Sequence, residues 1–135
     1  MKYNISSDYI NNLYENEIFV FGSNKAGRHG KGAAKTARMK FGAEYGVGIG
    51  RTGDCYAIPT KDYSLNVLPL SEIEIHVNEF LTYAIRNPKL KFLVTEIGCG
   101  YAGYYPSEIA PLFKDVISLE ISNVYLPSRF IRFIK

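Results

Sequence analysis

A short apolar run at residues 92–97 stops abruptly at Gly98-Cys99-Gly100-Tyr101-Ala102-Gly103, and Pro106-Ser107-Glu108 follows soon after. Beyond it, Ile109, Leu112, Phe113, Val116 and Ile117 recur at the spacing of one helix face. A buried strand, a turn with little side-chain bulk and a helix start form one unit, and a chain built around it has few options outside the α/β class. The same unit carries a chemical implication. Glycine lets a backbone approach a ligand closely, and a helix N-terminus adds a partial positive charge, so open N–H groups would face an anion. The stretch predicts a phosphate-bearing ligand.

Further strands and helices alternate along the chain. Ser6-Ser7-Asp8 reads as the N-cap region of a short helix carrying Ile10 and Leu13. Residues 17–22 form a strand that ends at Gly22, and a polar glycine-rich loop over residues 23–32 leads into a helix with Ala34, Ala37 and Phe41 on its apolar side. Residues 42–53, with Gly46, Gly48 and Gly50, read as an irregular excursion. Residues 55–59 are a brief strand. A long helix follows, opened by a capping box at Ser71 and Glu74, with Ile73, Val77, Phe80, Leu81 and Ala84 on its buried face, and Asn87-Pro88 ends it. Residues 123–126 supply a last strand. This alternation predicts one α/β domain over residues 1–135, three layers thick, around a mixed, largely parallel sheet.

Composition narrows the class. With 135 residues and 47% apolar content the chain can bury a proper core. Two cysteines, Cys55 and Cys99, do not make a secreted disulfide framework. The polar opening Met1-Lys2-Tyr3-Asn4 and the lack of a long apolar run predict no leader and no membrane span, hence a cytoplasmic protein. A net charge of +3 suits an anionic ligand and is too small to argue for nucleic acid by itself. No Cys, His and carboxylate cluster has metal-ligand spacing, so neither a metal nor a cofactor is expected.

In parallel α/β sheets ligands sit beyond the carboxyl ends of the strands. Three strands here end in residues that can do chemistry. The first runs into Gly22-Ser23-Asn24-Lys25-Ala26-Gly27-Arg28-His29-Gly30-Lys31-Gly32-Ala33-Ala34, the second into Thr60-Lys61-Asp62, and the third into residues 98–105 with Tyr104 near their end. Two glycine loops on one sheet edge would hold a diphosphate from both sides, with a ribose near the Asn24 amide, which can donate and accept. Gly98 to Gly103 match G-x-G-x-x-G, but too little chain remains for the rest of a dinucleotide-binding domain, so the match speaks for phosphate rather than for a dehydrogenase. The first loop lacks G-x-x-x-x-G-K-[ST], which argues against a P-loop ATPase. His29 reads as a loop hydrogen-bonder rather than a base, and Cys99 as a small residue of its turn.

The order of strand, Gly22-Ser23-Asn24, glycine-rich loop, helix, and Ile97-Gly98-Cys99-Gly100 loop resembles the macro domain, an ADP-ribose-binding α/β/α module. The stretches Phe21-Gly22-Ser23-Asn24, Ala26-Gly27-Arg28-His29-Gly30, Gly32-Ala33-Ala34 and Ile58-Pro59-Thr60-Lys61-Asp62 are similar to those of small macro-like proteins of bacteria and phages. Lys40-Phe41-Gly42, Thr60-Lys61 and Ile97-Gly98-Cys99-Gly100 also resemble terminal ADP-ribose protein glycohydrolases.

This resemblance implies a binding site made of Gly22, Ser23, Asn24, Gly30, Lys31, Gly32, Ala33 and Thr60 on one side. Gly98, Cys99, Gly100, Tyr101, Ala102, Gly103 and Tyr104 would form the other. It implies Lys61 as nucleophile at the distal ribose and Asn24 as the residue that orients that ribose. The aspartate that assists turnover in those enzymes falls on Ala102, which cannot shuttle protons. Asp62 and Glu96 are the available substitutes. Adenine is usually gripped by an aspartate in a Gly-Asp-[Ile/Leu] segment that has no counterpart here, and Asp8 is its stand-in.

Three functions follow as expectations. The first is hydrolysis of ADP-ribosyl linkages through Lys61, acting on an ADP-ribosylated substrate. The alternative is a non-catalytic sensor or sequestering protein for an ADP-ribose-derived signal. The weakest is nucleic-acid binding through Lys25, Arg28, Lys31, Lys35, Arg38 and Lys40, which fit equally well one solvated helix face and an anion funnel. The apolar tail Phe130-Ile131-Arg132-Phe133-Ile134 must pack on its own domain or meet a partner.

Overall fold

The computed structural model describes residues 4–135. The opening Met1-Lys2-Tyr3, on which the expectation of no leader partly rests, lies outside them. Strands β1 (Asn4–Ser6), β2 (Glu17–Asn24), β3 (Gly50–Thr52), β4 (Cys55–Lys61), β5 (Lys91–Val94) and β6 (Val124–Pro127) form one sheet in the order β1-β6-β5-β2-β4-β3. All neighbours run parallel except β3, which pairs antiparallel with β4. The protein is thus an α/β fold with a six-stranded, mixed, mostly parallel sheet flanked by helices.

The period-two alternation of the central strands sorts the core. Ile18 and Val20 of β2, with Tyr56 and Ile58 of β4, face a large cluster filled by Ile73, Val77, Phe80, Leu81 and Ala84 of helix α2 (Leu70–Arg86). Phe19 and Phe21, with Cys55 and Ala57, face a smaller cluster against Ala34 and Ala37 of helix α1 (Gly32–Lys40) and Phe41. Burying a side chain such as Phe21 stabilises the fold by about 2–3 kcal/mol. These two faces fix β2 in the middle of the sheet, and with it the place where the first glycine loop emerges.

Several expected elements differ. Residues 7–14 form no helix, because Ser7 Oγ bonds the backbone of Tyr9 and Glu17 accepts the Tyr14 N–H at 2.7 Å. Such local side-chain bonds compete with helix formation. Ile10 and Leu13 still pack on the smaller core. The long helix starts at Leu70 after the extended Pro69, so Ser71 and Glu74 lie inside it and make no capping box. The predicted C-terminal helix keeps its buried face but is divided into α3 (Pro106–Ile109), a 3-10 turn (Ala110–Phe113) and α4 (Asp115–Ser118). Pro111 accounts for the break, since it offers no N–H and its ring crowds the preceding turn. The third strand ends at Val94 rather than Ile97, and β1 and β3 had no sequence signal. In the tail, Phe130 and Ile131 of α5 (Ser128–Ile131) are buried in the large core, so this segment packs on its own chain.

Candidate functional site

Strands β2, β4 and β5 are parallel neighbours, so their carboxyl ends open on the same sheet edge. A cleft of about 560 Å³ lies there. It is lined from one side by Gly22, Ser23, Asn24, Gly30, Lys31, Gly32 and Ala33, from β4 by Thr60 and Lys61, and from the other side by Gly98, Cys99, Gly100, Tyr101 and Ala102. Close packing draws the two loops together. A Cβ on Gly22 would lie 3.4 Å from the Gly98 nitrogen, and one on Gly32 would lie 3.3 Å from the Tyr101 ring. The Lys31 ammonium sits 5.4 Å from the centroid of that ring.

Both walls present unused donors. Helix α1 is nine residues long, its N-cap Lys31 supplies no side-chain cap, and Gly32, Ala33 and Ala34 of its first turn line the cleft. The first four N–H groups of a helix have no partner within it. Across the cleft, Gly103 N–H is satisfied by Gly100 O at 3.0 Å and Tyr104 N–H by Gly98 O at 2.9 Å. Among the described residues the amides of Gly100, Tyr101 and Ala102 donate to no protein acceptor. Gly98 holds its turn at a φ of +77°, a left-handed conformation, with Ile109 against the space where a Cβ would stand. This arrangement can receive an anion with several oxygens from two sides.

Gly103 and Tyr104 do not line the cleft. They close the loop from behind: the Tyr104 hydroxyl donates to Leu68 O at 2.7 Å and its ring packs on the core.

The structure also revises the roles of several other residues. Asn24 stands opposite Lys61 in the register of β2 and β4. Its amide is engaged within its own loop, donating to Arg28 O at 3.0 Å and accepting Arg28 N–H at 2.9 Å. That leaves one amide hydrogen for a ribose. Asp62, next to Lys61 in sequence, is turned into its own loop. It lies outside the lining, accepts the N–H groups of Ser64 and Asn66, and these bonds, that of Asn66 foremost, hold its carboxyl below the usual range. Glu96 does line the cleft but is gripped by both arms of the Arg129 guanidinium, which also keeps its pKa low. Among the described residues Lys61 makes no ion pair, whereas Lys25 is paired with Glu72 at 2.6 Å.

His29 is not the loop hydrogen-bonder expected. Its ring is fully buried, edge-on to Phe21 at 5.3 Å and beside Tyr45, and neither nitrogen has a hydrogen-bond partner among the described residues. Burial pushes its pKa down, and the charge of Arg38 adds to this against an opposing contribution from the Val47 backbone. Cys99 is half-buried, and burial raises its thiol to about 11, with the Glu96 charge acting in the same direction. It is a poor nucleophile at neutral pH.

Sequence reasoning did not find Tyr45 and Leu65 in the lining, nor Arg28 and Thr95 as site residues. Tyr45 arrives on the excursion of residues 42–53, which folds back until Gly48 touches Asn24 and Gly46 touches Gly27. Ser23 Oγ donates to Gly48 O at that junction. No local pattern announces such a return.

A second cavity of about 600 Å³ adjoins the first, sharing Ala33, Thr95 and Glu96. Asp8, Tyr9, Thr36, Lys40 and Arg129 are among the residues that line it.

With this geometry in hand, comparison with known proteins gives one result. No protein-family model and no curated protein matches the chain. A solved structure of a protein of unknown function from Bacteroides thetaiotaomicron is similar over 94% of this chain and 98% of that one, with a TM-score of 0.67 and 15% identity. The likeness is one of fold. Among the described residues no helix is long and apolar enough to cross a membrane, and no three His, Cys, Asp or Glu side chains gather as a metal site.

Proposed function

We propose that the chain is a macro-domain-like protein that binds ADP-ribose or a related nucleoside diphosphate. The diphosphate lies between the first turn of α1 and the Gly100, Tyr101 and Ala102 amides. One observation carries this reading: unused N–H groups on opposite walls of a single cleft, at the carboxyl ends of three parallel strands. The nucleoside occupies the adjoining cavity, where the Asp8 carboxylate is available to an exocyclic amine. Calorimetry with ADP-ribose tests the reading. Micromolar to sub-millimolar binding is expected, and no heat at millimolar ligand overturns it.

Hydrolysis through Lys61 is the second reading, supported by the position of that amine in the cleft lining and its lack of an ion-pair partner among the described residues. A lysine that attacks the distal ribose needs a group to move protons. Here Ala102 offers none, Asp62 is turned into its own loop and Glu96 is bound by Arg129. The engaged carboxylates favour a sensor or sequestering role over turnover. Release of ADP-ribose from a modified glutamate peptide, compared between the native chain and Lys61→Ala, separates the two. A difference of tenfold or more establishes catalysis, and equal background rates leave a binder.

A further inference from the structure

The cleft holds more than a diphosphate and a terminal ribose require. Besides the N–H groups of its two walls it is lined by the side chains of Tyr45, Leu65 and Tyr101, the Tyr101 ring reaching across from one wall to the other, and these large side chains are nevertheless 61%, 42% and 70% exposed. Leu65 takes up this place in a left-handed conformation, φ +66°, held by the turn that Asp62 ties to Ser64 and Asn66. A non-glycine residue kept in that region costs free energy, and such strain is often found at ligand clamps. The Tyr101 ring already meets Gly32 and Lys31, which leaves most of its surface free. Tyr45 is braced by Arg38, 5.9 Å from its ring centroid, and by the buried His29 ring.

Exposed, braced aromatic rings beside an anion cradle are a stacking platform. The two cavities are also close in volume, about 600 and 560 Å³, and each carries exposed tyrosine, Tyr9 in one and Tyr45 and Tyr101 in the other. We infer that the ligand is a dinucleotide: a nucleoside diphosphate that carries a second, neutral planar base beyond its distal ribose, stacked against Tyr45 and Tyr101. Neutrality follows from charge. Arg28, Lys31 and Lys61 line this cleft, and the one acid among its described lining residues, Glu96, is neutralised by Arg129, so a cationic ring such as oxidised nicotinamide is disfavoured.

The inference rests on the diphosphate reading given above, and the test keeps the two apart. Calorimetry compares ADP-ribose, diadenosine diphosphate and oxidised NAD on the native chain, on Tyr45→Ala and on Tyr101→Ala. A single base–aromatic stack is worth about a tenfold gain in affinity. Diadenosine diphosphate is therefore expected to bind at least about tenfold more tightly than ADP-ribose, with oxidised NAD between or below them. The ratio should fall toward one in either tyrosine variant; both rings are exposed, so folding is not at stake. Equal affinity for ADP-ribose and diadenosine diphosphate, or a ratio untouched by both substitutions, overturns the second-base inference and leaves the diphosphate reading intact. No binding of any of the three removes both.

Discussion

The α-carbon of Gly48 packs so closely against the carbonyl of Asn24 that a methyl group there would overlap the oxygen. The excursion of residues 42–53 is therefore a buttress for the first glycine loop. Gly48→Ala must displace backbone on one side or the other, and overpacking of this kind costs about 1–3 kcal/mol. Denaturant melts should show that loss, and any ADP-ribose affinity should fall with it. A fully stable Gly48→Ala protein would mean the contact is not held in solution.

His29 predicts a pH dependence of stability. Its folded pKa is depressed by burial, so the native state keeps the ring neutral while the unfolded chain takes up a proton below about pH 6.5. The contribution is fully present above that value and is lost as pH falls toward the folded pKa. The Val47 backbone offsets part of the burial effect, Arg38 opposes protonation, and Phe21 and Tyr45 pack against the ring without compensating it. Urea melts at pH 7.5 and 5.5 should show the native chain weakening across that interval. His29→Leu should be flatter, and no less stable at the lower pH, because two buried polar atoms without partners are removed. Parallel curves for the two proteins would exclude this role for the ring.

Ala102→Asp probes the missing proton carrier. Residue 102 lines the same cleft as Lys61, with no free carboxylate beside it among the described residues. If Lys61 is a competent nucleophile, general acid–base help should raise release from a modified glutamate peptide by about 100-fold or more. The gain should vanish in the double variant with Lys61→Ala. An unchanged rate in Ala102→Asp assigns Lys61 to binding alone.

The cysteines should be inert. Cys99 is raised to about 11 from a reference of 9.0, so alkylation limited by thiolate is expected to run about 100-fold slower than for an exposed cysteine. Cys55, raised to about 12 within the smaller core, should be slower still. Mass spectrometry after brief iodoacetamide treatment at pH 7.5 would show native protein unmodified. Rapid labelling of Cys99 would mean that its loop opens.

Much of the architecture can be read from residue patterns because central strands and α2 bury complete faces. The alternation in Phe19, Val20 and Phe21, and the spacing of Ile73, Val77, Phe80, Leu81 and Ala84, express burial directly. Failures occur where local chemistry competes with pattern. Ser7 and Glu17 satisfy the backbone of a stretch that otherwise suggests a helix, and Pro111 divides a face whose apolar period is unbroken. The glycine loops were legible as loops, and the cleft brings them together with Lys61. Tyr45, Leu65 and Arg129 were not legible as lining residues, since their places depend on how distant segments return to the sheet edge. Nor does sequence reveal that the polar groups of Asn24, Asp62 and Glu96 are already committed to other partners.

The antiparallel strand β3 spans three residues, begins at Gly50 with φ +89° and is followed at once by Gly53. A neighbouring molecule seeking to add a strand along this border would find a ladder too brief, and too sharply bent at both ends, to template intermolecular pairing. The border next to the cleft's supporting excursion is thereby guarded against edge-to-edge aggregation, and the exposed charge of Arg51 in its middle adds to that protection.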